Sequence, residues 1–306
     1  MSKSGKVICC CLLVLGILAG CTKTETPAKN KIIDEENPLL IGLIPEQNIF
    51  RQLERYEPLA DYLSGETGKK IIIRILPRYG NIIDNFVSSS LDGAFFGSFT
   101  GALAIRKLGV RPLARPEGKD GISTYHGLIL VRKDSGIQSI KDMKNKRFAF
   151  VDKATTAGYL LPLDYFRENS IGNYRNYLKE TYFTGTHEDA VFDVLNRNAD
   201  IGAAKNTVFD RLAKSDARIM EELVILAESP KVPENGLAVR KDLDESVVTK
   251  LKDALLGMDG NEEGRKVLEK FGAARFIPTS VQDYKPVFDY ASHLGLDLTS
   301  YDYTNE

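Results

Sequence analysis

The stretch Arg147–Pro162 reads RFAFVDKATTAGYLLP, and the fold follows from how it is parsed. Phe148, Ala149, Phe150 and Val151 form the short apolar run of a strand buried on both faces. Asp152 and Lys153 interrupt it, Thr155-Thr156-Ala157-Gly158 follows, and Leu160, Leu161 and Phe166 then recur at helical spacing. This is a strand, a small polar turn and a helix start. Such a turn presents unpaired backbone N–H groups at the positive end of a helix dipole and adds two hydroxyls, which suits an anion. The simpler alternative is that Thr155 or Thr156 only caps the helix.

The same alternation extends in both directions. Leu39 to Ile44 is an apolar strand, and Phe50, Leu53, Tyr56, Leu59, Ala60 and Leu63 give a helix. Lys70 to Leu76 is a β-branched strand, Tyr79-Gly80-Asn81 a loop, and Leu91 to Phe96 a strand that turns at Gly97-Ser98 into helix. Tyr125 to Arg132, Asp200 to Ala204, Leu223 to Ala227 and Leu237 to Arg240 are further strands with helices between most of them. Strand and helix alternating in this way predict an α/β fold of mostly parallel sheets covered on both faces. LILVRKD (Leu128–Asp134) and LAVRKD (Leu237–Asp242) are near-copies. If both cross between lobes side by side, residues 133–235 form an inserted lobe, 39–132 with 236–290 form the other, and 291–306 are a C-terminal tail. A cleft between two such lobes is where a small ligand binds.

Composition narrows the class. The chain has 306 residues, 43% hydrophobic, with net charge −1 and no Trp. That supports a sizeable core and gives no basic surface for nucleic acid. Lys3 and Lys6 precede an apolar run from Val7 to Ala19, the pattern of a secretory signal and too short for a comfortable membrane span. The run ends in Leu18-Ala19-Gly20-Cys21, which resembles a bacterial lipobox. Cleavage would remove residues 1–20 and leave Cys21 as the mature, acylated N-terminus, followed by a polar tether over 21–38. Cys9, Cys10 and Cys11 would be discarded with the signal, so neither an internal disulfide nor a cysteine metal site is expected. The expected location is extracytoplasmic and membrane-anchored.

Several of these stretches together resemble the phosphate/phosphite/phosphonate-type substrate-binding lipoproteins of ABC importers. They are Asp92 to Gly97, Tyr125 through VRKDSGIQSIKDMK, FAFVDKATTAGYLLP, Gly185-Thr186-His187-Glu188, Asp200 to Asn206 and SPKVPENGLAVRKDL. The resemblance spans roughly residues 40–275 and implies the two-lobe type II periplasmic-binding-protein fold. It implies a small phosphorus oxyanion (phosphate, phosphite or a short alkylphosphonate) as ligand, a membrane permease as partner, a monomer and no cofactor. Matched position by position, the anion would meet Thr155, Thr156, the Ala157 amide and His187, with Tyr79 from the first lobe. Phe96 stands where the family carries a Tyr, removing one hydroxyl. Val208 and Asn235 stand where aminoalkylphosphonate binders carry acids, so a compact anion is expected to bind better than one with an ammonium tail. Lys205 and Asn206, after a strand, are placed to face the cleft.

Two other classes fit the same residues. A lipid-anchored receptor feeding a sensor kinase would share this sequence pattern. An enzyme would need a nucleophile–base pair, such as Thr155 or Thr156 with His187 and Glu188. No Walker-type Gly-Lys-Ser/Thr is present, and His and carboxylates are too sparse for an evident metal site.

Overall fold

The computed structural model describes residues 33–88 and 90–305. The signal, Cys21 and most of the tether therefore lie outside the described residues. The strands are β1 (Asp34–Leu43), β2 (Lys69–Ile75), β3 (Gly93–Phe96), β4 (Arg111–Glu117), β5 (Thr124–Tyr125), β6 (Gly127–Arg132) and β7 (Arg147–Phe150). After them come β8 (Glu180–Phe183), β9 (Ile201–Lys205), β10 (Leu223–Glu228), β11 (Val232–Pro233), β12 (Gly236–Val239) and β13 (Arg275–Pro278). The helices begin with α1 (Ile49–Thr67), α2 (Asn81–Ser88), α3 (Ser98–Leu108), α4 (Leu161–Glu168), α5 (Tyr174–Tyr177) and α6 (His187–Leu195). They end with α7 (Asn206–Ser215), α8 (Arg218–Glu222), α9 (Glu245–Leu256), α10 (Glu262–Phe271) and α11 (Lys285–His293). Among the described residues no helix is long and apolar enough to cross a membrane.

The strands build two large sheets, in the orders β13-β4-β12-β3-β1-β2 and β10-β6-β9-β7-β8. Both are mixed. In the first, β1 pairs in parallel with β2 and β3, while β12 and β13 pair antiparallel with their neighbours. In the second, β7 is parallel to β8 and β9, and β6 is antiparallel to β9 and β10. The parallel pairing expected from the strand–helix alternation thus holds for two of the five strand pairs of the first sheet and two of the four of the second. The antiparallel pairs arise where the chain crosses between sheets and returns.

The crossing points differ from the sequence expectation. The near-copies LILVR and LAVR fall on β6 and β12, which belong to different sheets and are not neighbours. What pairs side by side is β5 with β11, through Val232 with Tyr125 and Pro233 with Thr124. This ribbon joins β4 to β6 and β10 to β12, so the first sheet is left after Glu117 and not at Arg132. Two apolar strands ending in Arg-Lys-Asp look alike whichever sheet they enter, which is why the repeat misplaced the junction. β1 also begins at Asp34, inside the stretch read as tether, and Asp34 pairs with Lys69 by register and by its carboxylate.

Packing follows from the apolar spacing. α1 buries Tyr56, Leu59, Ala60 and Leu63 on one side, and Tyr56 meets Phe95 and Phe271 edge to face at 5.1 Å each. Each fully buried leucine or phenylalanine among them contributes about 1.5–3 kcal/mol by leaving water. In the second sheet Phe148 stacks on Phe150 at 4.3 Å, and Phe166 packs on Phe148 at 5.8 Å. That fixes the strand and the helix on either side of the Thr155–Gly158 turn.

Candidate ligand-binding cleft

Thr156–Leu160 is a π turn that runs directly into α4. Its first N–H groups have no acceptor within the helix. Thr155 precedes it with extended backbone and forms no side-chain cap. The Thr155 hydroxyl donates instead to the Asp152 carbonyl at 2.6 Å. A plain cap is therefore not what this turn is. Gly158 lets the helix approach the strand, since a Cβ there would lie 2.4 Å from Val151 Cβ. The backbone of Ala157 is pressed equally hard against β6, where a Cβ on Gly127 would come within 2.8 Å of Ala157 Cα.

This helix start opens on a narrow cleft lined by Ile44, Glu46, Tyr79, Gly97, Ser98, Phe99, Tyr125, Ala154, Thr155, Thr156, His187, Lys205 and Asn235. Hydroxyls from both sheets meet there: Ser98 Oγ lies 2.6 Å from Tyr125 Oη and 2.7 Å from Thr156 Oγ1. Ser98 opens α3 beyond β3, Tyr125 lies on the β5–β11 ribbon, and Thr156 belongs to the second sheet. The Tyr79 hydroxyl is buried with no hydrogen-bond partner among the described residues, and its ring stands edge-on to His187 at 5.7 Å.

His187 begins α6, with Thr186 as N-cap accepting from Asp189 N. Its backbone N–H donates to the Glu46 carbonyl at 3.1 Å, and Asn48 N donates to Glu188 Oε2 at 2.8 Å. The loop after β1 is thereby tied to the start of α6 across the cleft. Burial, with Lys205 and Arg211 adding to it and Glu46 opposing, depresses His187 to about 3. The imidazole is neutral at physiological pH. Its Nδ1 accepts from Lys205 N at 3.3 Å, so the ring proton sits on Nε2 as a donor.

A buried ion cluster closes one side of the cleft. Lys205 Nζ donates to Glu46 Oε1 at 2.9 Å and to Asn235 Oδ1 at 3.1 Å, and also pairs with Glu234. Desolvation would raise Glu46, but Lys205, then Arg211, hold its carboxyl down at about 2. Beyond this cluster lies a larger cavity of about 220 Å³ that shares Glu46 and Asn235 with the cleft.

The candidate residues therefore separate. Thr155, Thr156, His187, Tyr79 and Asn235 line the cleft, as does Lys205. Ala157 is buried behind it against Gly127. Phe96 is buried in apolar packing 5.8 Å from Phe86, and the hydroxyl that this segment sends to the cleft is that of Ser98. Asn206 lines the larger cavity, where Oδ1 accepts from His126 N at 3.0 Å. Val208 is fully buried in the apolar cluster with Leu128, Leu130 and Phe209, away from either cavity. One carboxylate, Glu46, lines the cleft, while Glu234, which pairs with Lys205, lines the larger cavity. Ser98, Tyr125 and Glu46 went unread because their roles come from contacts 27 to 159 residues apart. The Pro45-Glu46-Gln47-Asn48 loop at the end of the first strand was the available signal for Glu46.

Residues 41–284 match the family described as ABC transporter, phosphonate, periplasmic substrate-binding protein. The chain belongs to this family. Its members bind and deliver a substrate and are not enzymes, and the family places the chain outside the cytoplasm as the binding component of an ABC importer. The chain is 26% identical over 259 residues to the phosphonates-binding periplasmic protein of Escherichia coli (strain K12), covering 83% of this chain and 76% of that one. It is 24% identical over 255 residues to the phosphate-import protein PhnD of Mycolicibacterium smegmatis (strain ATCC 700084 / mc(2)155), covering 80% of this chain and 79% of that one. Among solved structures, PhnD1 from Prochlorococcus marinus (MIT 9301) in complex with methylphosphonate superposes with a TM-score of 0.74 at 23% identity, over 84% of this chain and 98% of that one. This last likeness concerns the fold, which is the type II periplasmic-binding-protein fold.

Proposed function

We propose that this binding protein captures a small phosphorus oxyanion (phosphate, phosphite or a short alkylphosphonate) at the start of the Thr156 helix and presents it to a membrane permease. The observation that carries the reading is the uncapped helix start, faced by hydroxyls from both sheets. The Thr156 hydroxyl, the first-turn amides, the Tyr79 hydroxyl and His187 Nε2–H are neutral donors, and together they offset a dianion without a guanidinium. About four hydrogen bonds to charged oxygens, at roughly 1.5–3 kcal/mol each, less several kcal/mol for association, give micromolar affinity or better. The relatives named for phosphonates and for phosphate support the ligand class. In the same reading Cys21 carries the lipid that holds a monomer at the outer face of the membrane.

A thermal-shift screen of the mature chain against phosphate, phosphite, methylphosphonate, sulfate and acetate tests this. Ligand at a hundred times its dissociation constant adds about 2.7 kcal/mol of stability. A shift with phosphorus oxyanions and none with sulfate or acetate is expected. No shift with any of the three phosphorus anions overturns the reading.

A further inference from the structure

The wall of the cleft holds a cation of its own. Lys205 ends β9 with its side chain only 2% exposed. Its Nζ reaches Glu46 Oε1 and Asn235 Oδ1, pairs with Glu234, and stands 4.3 Å from the centre of the Tyr125 ring. Two carboxylates, an amide oxygen and an aromatic face thus converge on one primary ammonium. Desolvation would push this ammonium toward its neutral form, but Glu234 and Glu46 outweigh it and hold Lys205 above its ordinary value. The same set of partners is what would recognise a primary ammonium on a ligand. Glu46 and Asn235 also line the cleft with Thr156 and His187, so the place is continuous with the anion site.

We propose that Lys205 is a resident ammonium that fills the cation subsite of the cleft, making the protein select oxyanions with an uncharged tail against ω-aminoalkylphosphonates. The proposal rests on the oxyanion reading of the cleft. Two consequences follow from charge and space. A ligand ammonium finds its partners already engaged and would have to be desolvated without compensation. A ligand anion, in turn, depends on Lys205 to neutralise Glu46, which otherwise faces it as a bare carboxylate.

Calorimetric titration of the mature chain with methylphosphonate and with 2-aminoethylphosphonate, for wild type and Lys205→Ala, tests the proposal. The wild type is expected to favour methylphosphonate at least tenfold. Lys205→Ala is expected to reverse the order, weakening methylphosphonate tenfold or more while strengthening the amino compound tenfold or more. Lys205→Met keeps the bulk without the charge, so it should weaken methylphosphonate and gain nothing for the amino compound. A purely structural lysine would weaken both ligands alike in Lys205→Ala, and an unchanged ratio overturns the proposal. So does a wild type that takes the amino compound as well as methylphosphonate. A wild type that binds neither of these, nor phosphate or phosphite, overturns the oxyanion reading and the role of Lys205 with it. If Lys205→Ala lacks a cooperative unfolding transition, Lys205→Ala/Glu234→Gln leaves a single buried carboxylate. It should show the same reversal at smaller amplitude, and its absence also overturns the proposal.

Discussion

Tyr79 buries a hydroxyl that no described residue satisfies, an arrangement that costs stability in exchange for a donor aimed at a ligand. Tyr79→Phe should therefore raise the unfolding temperature slightly while weakening oxyanion binding about tenfold, a pairing that scanning calorimetry and titration can detect together. His187 gives a pH test. Its folded pKa, about 3, lies below the unfolded value of 6.5, so the unfolded chain takes up the proton first. The stability it contributes is full above about pH 6.5 and is lost as pH falls toward 3. Glu46, lowered from 4.5 to about 2, adds a loss of the same sign below about pH 4.5. Between pH 7 and 5.5 His187 alone accounts for about 1 kcal/mol, so urea unfolding of His187→Gln should lose that much less than wild type over this interval. Equal losses would mean that the ring is not held neutral. At this scale Thr155 and Thr156 were legible because a polar turn after an apolar strand is a local signal, whereas His187, in what read as a loop, was pointed to only by the resemblance of Gly185-Thr186-His187-Glu188 to the family. Glu46 and Lys205 were not legible as a pair, since each is an ordinary charged residue until the fold brings them 2.9 Å apart.

The helix start depends on close backbone approach. Gly158 packs on Val151 with no room for a side chain, so Gly158→Ala must push the turn away from β7. We expect a loss of about 1–3 kcal/mol from overpacking together with weaker binding, read by urea unfolding and titration on the same variant. Retained stability and affinity would show that the turn tolerates displacement. The strand–turn–helix itself was visible in the sequence because the run Phe148–Val151 and the later helical spacing differ in period. The pairing of β5 with β11 was not visible, since two-residue strands carry no period. The longer near-copies on β6 and β12 drew the junction to the wrong residue. A core valine at 208 was likewise indistinguishable from a cleft residue in a helix whose exposed face was unknown.

Over the whole molecule, the C-terminal segment links the two halves beside the cleft. Tyr301 packs on Phe99 at 5.2 Å and donates to the Lys153 carbonyl at 2.8 Å. Tyr303 bonds Asp84 at 2.6 Å, and Asn305 bonds Asp152 at 2.8 Å and Lys153 N at 3.0 Å. Phe99 and Asp84 belong to helices over the first sheet, whereas Asp152 and Lys153 follow β7 of the second. Truncation after Leu298 removes these four hydrogen bonds, worth about 1 kcal/mol each net, so it should lower stability by about 3–4 kcal/mol in urea unfolding. An unchanged midpoint would mean that the segment is a passive tail. At the opposite end, Cys21→Ser should abolish labelling by a clickable fatty acid, and persistent label would rule out this cysteine as the anchor.

In the proposed reading an oxyanion sits at the Thr156 helix start between the two sheets. Calorimetric titration of wild type and Thr156→Val with phosphate, phosphite and methylphosphonate decides it, because the valine keeps the shape and deletes only the hydroxyl. Micromolar or tighter binding of at least one of these anions by the wild type is expected, with a loss of tenfold or more, about 1.5–3 kcal/mol, in the variant. Equal affinity in the two proteins would contradict it.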